Sequence, residues 1–268
     1  MKEMTLEELH NVGYALLEVF ADYCRENGIK YSLAYGTVLG AARHKGFIPW
    51  DDDVDIFVPR PDYEKLIKLY EDSERYRLVS PERDSGYKYP FAKFIDCSTV
   101  FIESHGEDKG LGVWLDIFPL DGAPNEDKQQ TKMMRYYRLR RILITQGFNV
   151  KNRKEYFKEG NVPKGVASCC IGALSKFTSF EKVKKSMEKR GLEYPYRNCE
   201  YVACLWGPYG KKEVFPKQWI EDMALLKFGE HEYCVPGNYE DYLTGLYGST
   251  WMEIPKDHGH PHGVGYWK

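Results

Sequence analysis

Four aspartates crowd into residues 51–55, in Trp50-Asp51-Asp52-Asp53-Val54-Asp55, and run straight into the apolar stretch Ile56-Phe57-Val58. So much like charge at the start of a buried strand is unfavourable without a compensating cation, because neighbouring carboxylates repel and burial penalises their ionised forms. Asp53 and Asp55 flank one apolar residue, and side chains two apart on a strand point the same way, so both carboxylates share a face. Oxygen-only ligands of this kind suit Mg²⁺ or Mn²⁺, with water and substrate phosphate completing the shell. An EF-hand loop does not fit: counted from Asp51, its sixth and twelfth positions hold Ile56 and Asp62 instead of Gly and Glu. The plain alternative is an acidic turn capping the strand, which leaves the concentration of charge unexplained.

A third carboxylate, Asp116, lies inside the apolar run Val113-Trp114-Leu115-Asp116-Ile117-Phe118, where an ionised group needs a partner. Held by backbone amides it would be structural. Joined to Asp53 and Asp55 it completes a set able to hold one or two ions across a phosphate, and it can help to take a proton from an attacking hydroxyl. Upstream, Gly36-Thr37 joins a strand to a helix sixteen residues before the Asp pair, where backbone amides and a hydroxyl can meet an anion. Arg43 and Lys45 add cationic donors between the two motifs, and Lys93, alone among apolar neighbours in Tyr89-Pro90-Phe91-Ala92-Lys93-Phe94, suits a phosphate, Asp116 or a plain strand edge.

Thr5-Leu6-Glu7-Glu8 is a capping box, and apolar residues then recur at helical spacing until Asn27-Gly28. The pattern predicts strands at 31–35, 54–58, 77–80, 91–95, 99–103 and 111–118, short helices over 38–43 and from Pro61, and a turn over 118–122. Basic helical stretches follow at 125–146 and 179–191, then a hairpin over 225–235 about Gly229-Glu230 and a helix over 238–247. The Gly/His-rich final residues, with His258, His260 and His262 alternating, predict a loop or a tail that closes over the site. These elements divide into a catalytic core over 1–124 and a mainly helical basic region over 125–268, whose C-terminal hairpin and helix pack on the core.

The formal charge of −2 gives no reason to expect nucleic acid as a partner. The average hides an asymmetry: residues 131–190 hold 16 Lys/Arg against 4 Asp/Glu. That excess, with Arg135, Arg138, Arg140, Arg141 and Lys151 in it, reads as a solvated helical face or as a surface meeting an anionic partner or membrane headgroups. Seven cysteines with no CxxC pair speak for reduced thiols and against zinc. The acidic, amphipathic opening and the lack of an 18-residue apolar run point to a cytoplasmic protein, with peripheral contact at the inner face of the cell membrane left open.

The order YGTVLGAARHKGFIPWDDDVDIFVPRPDYEKL, then YPFAKFID, then GVWLDIFPLDG, resembles the LicD family of phosphocholine transferases, and KFGEHEYCVPGNYEDYLTGLYGSTWMEIP resembles that family's closing segment. The resemblance implies an α+β fold with a nucleotidyltransferase-like mixed β-sheet core, flanking helices and a helical C-terminal region. It further implies transfer of phosphocholine, or a related phospho-alcohol, from CDP-choline or a related CDP-alcohol to a sugar hydroxyl of a cell-surface glycan or lipid-linked glycan, such as lipopolysaccharide or teichoic acid. By matching motif, Gly36 and Thr37 hold the donor phosphates, and Asp53, Asp55 and Asp116 bind the metal. Fukutin-related members resemble the same core yet use CDP-ribitol, so the alcohol stays open. Two other readings stand beside it: a nucleotidyltransferase adding NMP to a small molecule such as an aminoglycoside, and a non-catalytic nucleotide- or glycan-binding member. Choline would call for aromatic faces, for which Tyr35, Trp50, Trp114, Trp206 and Tyr209 are candidates.

Overall fold

Thr5 does start a helix. Its hydroxyl accepts from the Glu8 N–H at 3.1 Å, while the Glu8 carboxylate accepts from the Thr5 N–H at 2.9 Å. In this computed structural model, which describes residues 1–87, 89–103, 111–144, 162–255 and 261–268, that cap follows β1 (Lys2–Glu3) and opens α1 (Leu6–Glu26). The helix buries Leu9, Leu16, Leu17, Phe20 and Cys24 along one side and ends at Asn27. The chain continues through β2 (Ser32–Leu33), α2 (Tyr35–His44), β3 (Asp55–Pro59), α3 (Arg60–Leu69), β4 (Tyr76–Val79), β5 (Ala92–Asp96), β6 (Thr99–Glu103) and β7 (Trp114–Ala123). Pro61 sits in the first turn of α3, where its missing N–H costs nothing.

Strands β2, β3, β7, β5 and β4 lie side by side in that order. The β3–β7 pair is parallel and the others are antiparallel, giving the expected mixed sheet. Leu33, Ile56, Phe57, Phe94, Leu115 and Ile117 are wholly buried in it, and Phe20 of α1 meets Phe94 at 5.8 Å between ring centres. The fold is α+β, with helices flanking a mixed sheet.

Three local expectations change. Helix α2 begins at Tyr35, inside the predicted strand, with φ of +45° at that residue. Residues 118–122 extend β7 instead of turning. Pro119 falls between the stretch paired with β5 (114–117) and the stretch paired with β8 (121–123), so on that edge no ladder bond needs its N–H. The terminal segment is not a loop: Gly263–Trp267 is a strand lying between β1 and β6.

Packing divides the chain into Met1–Leu120 with Phe215–Lys268, and Asp121–Val214. The region expected as 125–268 is thus shared, its C-terminal hairpin and helix joining the first unit. Asp121–Val214 contains α4 (Asp127–Ile142), α5 (Val162–Ser175), α6 (Phe180–Gly191) and β8 (Tyr201–Ala203), while β9 (Val214–Pro216) straddles the boundary. The sequence pattern picked out α4 and α6 but not α5. Met133, Met134 and Tyr137 of α4 pack with Val183 and Met187 of α6, and the Tyr137 hydroxyl donates to the Met187 carbonyl at 2.7 Å. Within Phe215–Lys268 lie α7 (Gln218–Glu221), the hairpin β10 (Ala224–Phe228) and β11 (His231–Val235), α8 (Tyr239–Tyr247) and β12 (Gly263–Trp267). Among the described residues no helix is long and apolar enough to cross a membrane.

Candidate active site

The parallel register of β3 and β7 sets Asp55 opposite Asp116, and the antiparallel register of β7 and β5 sets Asp116 opposite Lys93. Residues paired in register share a face, so Asp55, Asp116 and Lys93 form a row across three central strands. Asp53, one step before β3, joins them. One carboxylate oxygen from each of Asp53, Asp55 and Asp116 lies within 4.8 Å of the other two. Thr37 fixes the strand's entry, its hydroxyl oxygen accepting from the Asp55 N–H at 2.9 Å.

The crowding is expensive. Burial first, then Asp53, Asp116 and Asp51, hold Asp55 well above the usual carboxylate range, against the pull of Lys93. Asp53 is pushed up to about 8, by burial and then by Asp51, Asp116 and Asp52, against His262. Lys93 is 1% exposed and donates to Asp116 Oδ1 at 2.6 Å. Its ammonium also stands 3.7 Å from the centre of the Trp114 ring and 4.5 Å from that of Tyr89. It is therefore not a plain edge lysine, but a caged counter-charge for one of the three carboxylates. Negative charge remains in excess, and a set of hard oxygen donors fits Mg²⁺ or Mn²⁺.

Two residues of the neighbourhood escaped the sequence reading or were undervalued by it. Asp52 is buried and its Oδ1 accepts from the His262 N–H at 2.9 Å and pairs with His262 Nδ1 at 2.8 Å, while its Oδ2 accepts from the Gly263 N–H at 3.2 Å. His262 Nδ1 is also 3.5 Å from Asp53 Oδ2. The bond to Asp52 is the main reason His262 is raised to about 9, with Asp53 adding to it. The ligand atoms of Asp51, Asp52 and His262 converge as closely as those of the other trio. With Asp52 spent on three donors and the imidazole favouring its protonated form, this second group is an ion pair that docks β12. The only sequence signals were a third Asp in the run and an alternating His tail; His258 and His260 lie outside the described residues, as does Lys151.

The remaining candidates fall in different places. A Cβ on Gly36 would lie 2.9 Å from Asp51 Oδ2, so the backbone there passes directly beside the acidic run. Arg43 and Lys45 are not brought to the carboxylates: they stand at the far end of α2, about 12 and about 15 Å along it from Tyr35 at 1.5 Å per residue. Arg43 donates to the Trp251 and Glu253 carbonyls, each at 2.9 Å, and Lys45 is an exposed C-cap. Tyr35 is buried between Phe57 and Phe118, Trp50 rests edge-on against His44, and Trp206 and Tyr209 belong to the other unit. Trp114 does border the site. A solvent-open cavity of about 140 Å³ is lined by the polar Asp52, Asp53, Asp116, His262 and Glu103 and by the apolar Phe101, Val113 and Trp114.

Comparison with known proteins gives this geometry a context. The family model described as LicD/FKTN/FKRP, nucleotidyltransferase domain, matches residues 28–144, which span Gly36 to Asp116. The chain is 31% identical over 269 residues to the lipopolysaccharide cholinephosphotransferase LicD of Haemophilus influenzae, covering 98% of each. Shorter matches join it to uncharacterized proteins of Rickettsia typhi, 31% identical over 40% of this chain and 34% of that one, and of Rickettsia prowazekii, 45% identical over 41% of this chain and 40% of that one.

Proposed function

This chain belongs to the LicD family, and from that premise we propose that it is a phosphotransferase moving phosphocholine, or a related phospho-alcohol, from a CDP-alcohol donor to a hydroxyl of a cell-surface glycan. The observation that carries the reading is the row of Asp55, Asp116 and Lys93 with Asp53 beside it, in a chain alike from end to end to a cholinephosphotransferase. Lipopolysaccharide is the acceptor class named for that relative, and it is the first to try.

Asp53, Asp55 and Asp116 would hold Mg²⁺ or Mn²⁺. The ion, when bound, offsets charge on the attacked phosphoryl and on the leaving phosphate. Lys93 takes Oδ1 of Asp116 and keeps that carboxylate facing its neighbours, so the second oxygen remains for a ligand. Gly36 lets the donor's phosphates approach the start of α2, and the Thr37 hydroxyl, whose oxygen already accepts from Asp55, has its proton to donate to them. The acceptor's oxygen bonds the alcohol-side phosphorus. The bond from that phosphorus to the bridging oxygen breaks, CMP leaves with that oxygen, and the hydroxyl proton passes to a carboxylate of the site. A quaternary ammonium would rest against Phe101, Trp114 and Glu103, the aromatic and acidic wall of the cavity.

The test supplies Mg²⁺, CDP-choline and purified lipopolysaccharide, and measures CMP release and phosphocholine incorporation. Both should occur with the wild type and fall at least about a hundredfold in Asp55→Asn, the scale of losing a group that stabilises transition-state charge. Pyrophosphate released from CTP, with no CMP from any CDP-alcohol, overturns phospho-alcohol transfer in favour of nucleotidyl transfer.

A further inference from the structure

Helix α5 (Val162–Ser175) is packed the reverse way for a core helix. Its buried positions are the small ones, Gly165, Ser168, Gly172 and Ser175. Its apolar side chains point outward: Val162, Val166 and Leu174 are each more than half exposed, Cys169 and Cys170 are exposed, and Phe177 in the following turn is 89% exposed. At 100° per residue, Val162, Val166, Cys169, Cys170, Ala173 and Leu174 fall within an arc of about 140°, and the exposed Phe177 follows two residues after the helix ends. Solvent-facing apolar surface of this extent marks an interaction site.

Its surroundings say which kind. Exposed Lys164 lies in the first turn of the helix and exposed Lys176 just past its end. Residues 162–191 hold seven Lys/Arg against two Glu, and α4 holds six against one Asp. Leu139 of α4 is itself exposed, between Arg138 and Arg140. A second copy of the same surface would bring like charge against like charge, whereas a bilayer with anionic headgroups offers both what the apolar face and what the cations require. Fourteen residues span about 21 Å, too short to cross the hydrocarbon core but right for lying in the interface.

We propose that α5 and Phe177 form an interfacial membrane anchor, the apolar face seated at the headgroup–acyl boundary of an anionic bilayer and the exposed Lys/Arg residues of α4 and α6, among them Arg135, Arg138, Lys182 and Lys185, held by its headgroups. The anchor is independent of which reaction the carboxylate site performs.

Co-sedimentation of the full chain with extruded vesicles tests it. Vesicles of phosphatidylcholine with a quarter phosphatidylglycerol should bind at least about tenfold more tightly than pure phosphatidylcholine, and raising the salt to about 0.5 M should weaken that binding several-fold. Val166→Asp/Leu174→Asp should lower affinity for the anionic vesicles by about tenfold or more while leaving Tm unchanged, since both side chains are exposed. Arg135→Glu/Arg138→Glu, which leaves the apolar face intact, should lower it as well and keeps the test decisive if the first variant misfolds. Failure of the wild type to bind anionic vesicles overturns the anchor. So does wild-type binding by both variants, or a wild-type dimer that Val166→Asp/Leu174→Asp dissociates while neither protein binds vesicles.

Discussion

Lys93 is the residue on which the site's electrostatics turn. It gives a charge to Asp116 from a cage of aromatic rings that leaves the ammonium itself almost no contact with water. Replacing it with Met, of similar length and no charge, leaves Asp116 without its counter-ion and should cost about 3 kcal/mol in urea unfolding without added metal, with part of the loss recovered on adding Mg²⁺. No recovery would mean that Asp116 lies outside the cation site. Asp53 gives the same charge excess a pH signature. Its folded value of about 8 lies above the ordinary carboxylate value near 4, so the folded state holds that proton more tightly than the unfolded chain does. The contribution is complete at low pH and is lost as pH rises through about 8. In metal-free buffer Tm should therefore fall between pH 5 and 8, Asp53→Asn should flatten that slope, and Mg²⁺ should raise Tm more at pH 8 than at pH 5. Asp53, Asp55 and Asp116 were legible in the sequence because like charges entering an apolar strand demand an explanation. The Asp52–His262 pair was not, since its partners lie 210 positions apart and no local pattern joins them.

At the scale of elements, β12 shows why a glycine-rich tail misleads. Glycine normally argues against a strand, yet a Cβ on Gly263 would lie 2.3 Å from the Ile102 carbonyl oxygen, and one on Gly265 would lie 2.9 Å from Met4 Sδ. The glycines admit β12 into a narrow slot between β1 and β6, and Asp52 then fastens its first residues. Only the register, a property of two distant segments, makes this visible. Asp52→Ala leaves the His262 and Gly263 N–H groups without their acceptor, and should cost about 2 kcal/mol, a fall in Tm of roughly 4–8 °C for a chain of this size. Gly263→Val should cost at least as much, because the Ile102 carbonyl that a side chain would meet is backbone and cannot move aside cheaply; a Tm within a degree of wild type in either variant would show that the terminal strand is not anchored this way. Helix α5 misleads in the opposite direction: its apolar residues do have helical spacing, but they face solvent, so a search for core-facing stripes passes over it.

At the scale of the molecule, a boundary near residue 124 follows from composition, because the basic helical character begins there. What composition does not reveal is that the chain comes back. Phe215 and Tyr242 pack against Phe57 of β3, the Tyr242 hydroxyl accepts from the Tyr35 N–H at 3.1 Å, and β12 supplies the neighbour that β6 otherwise lacks. Tyr35 takes a positive φ at the turn that presents Gly36 and Thr37, a conformation a tyrosine keeps only where its surroundings impose it. Residues 1–124 alone lose that hydrogen bond, the aromatic cover on Phe57 and the central strand of the β1–β12–β6 sheet, through which β1 and β6 are joined. A fragment ending at 124 should accordingly show no cooperative thermal transition and should expose apolar surface to a dye such as ANS, whereas the whole chain melts cooperatively. A sharp, dye-free transition from the fragment would place the folding unit wholly before residue 124 and make the returning segment an accessory. If the fragment fails as expected, the carboxylate site owes its shape to both ends of the chain, and no variant that truncates the C-terminus can separate loss of stability from loss of chemistry.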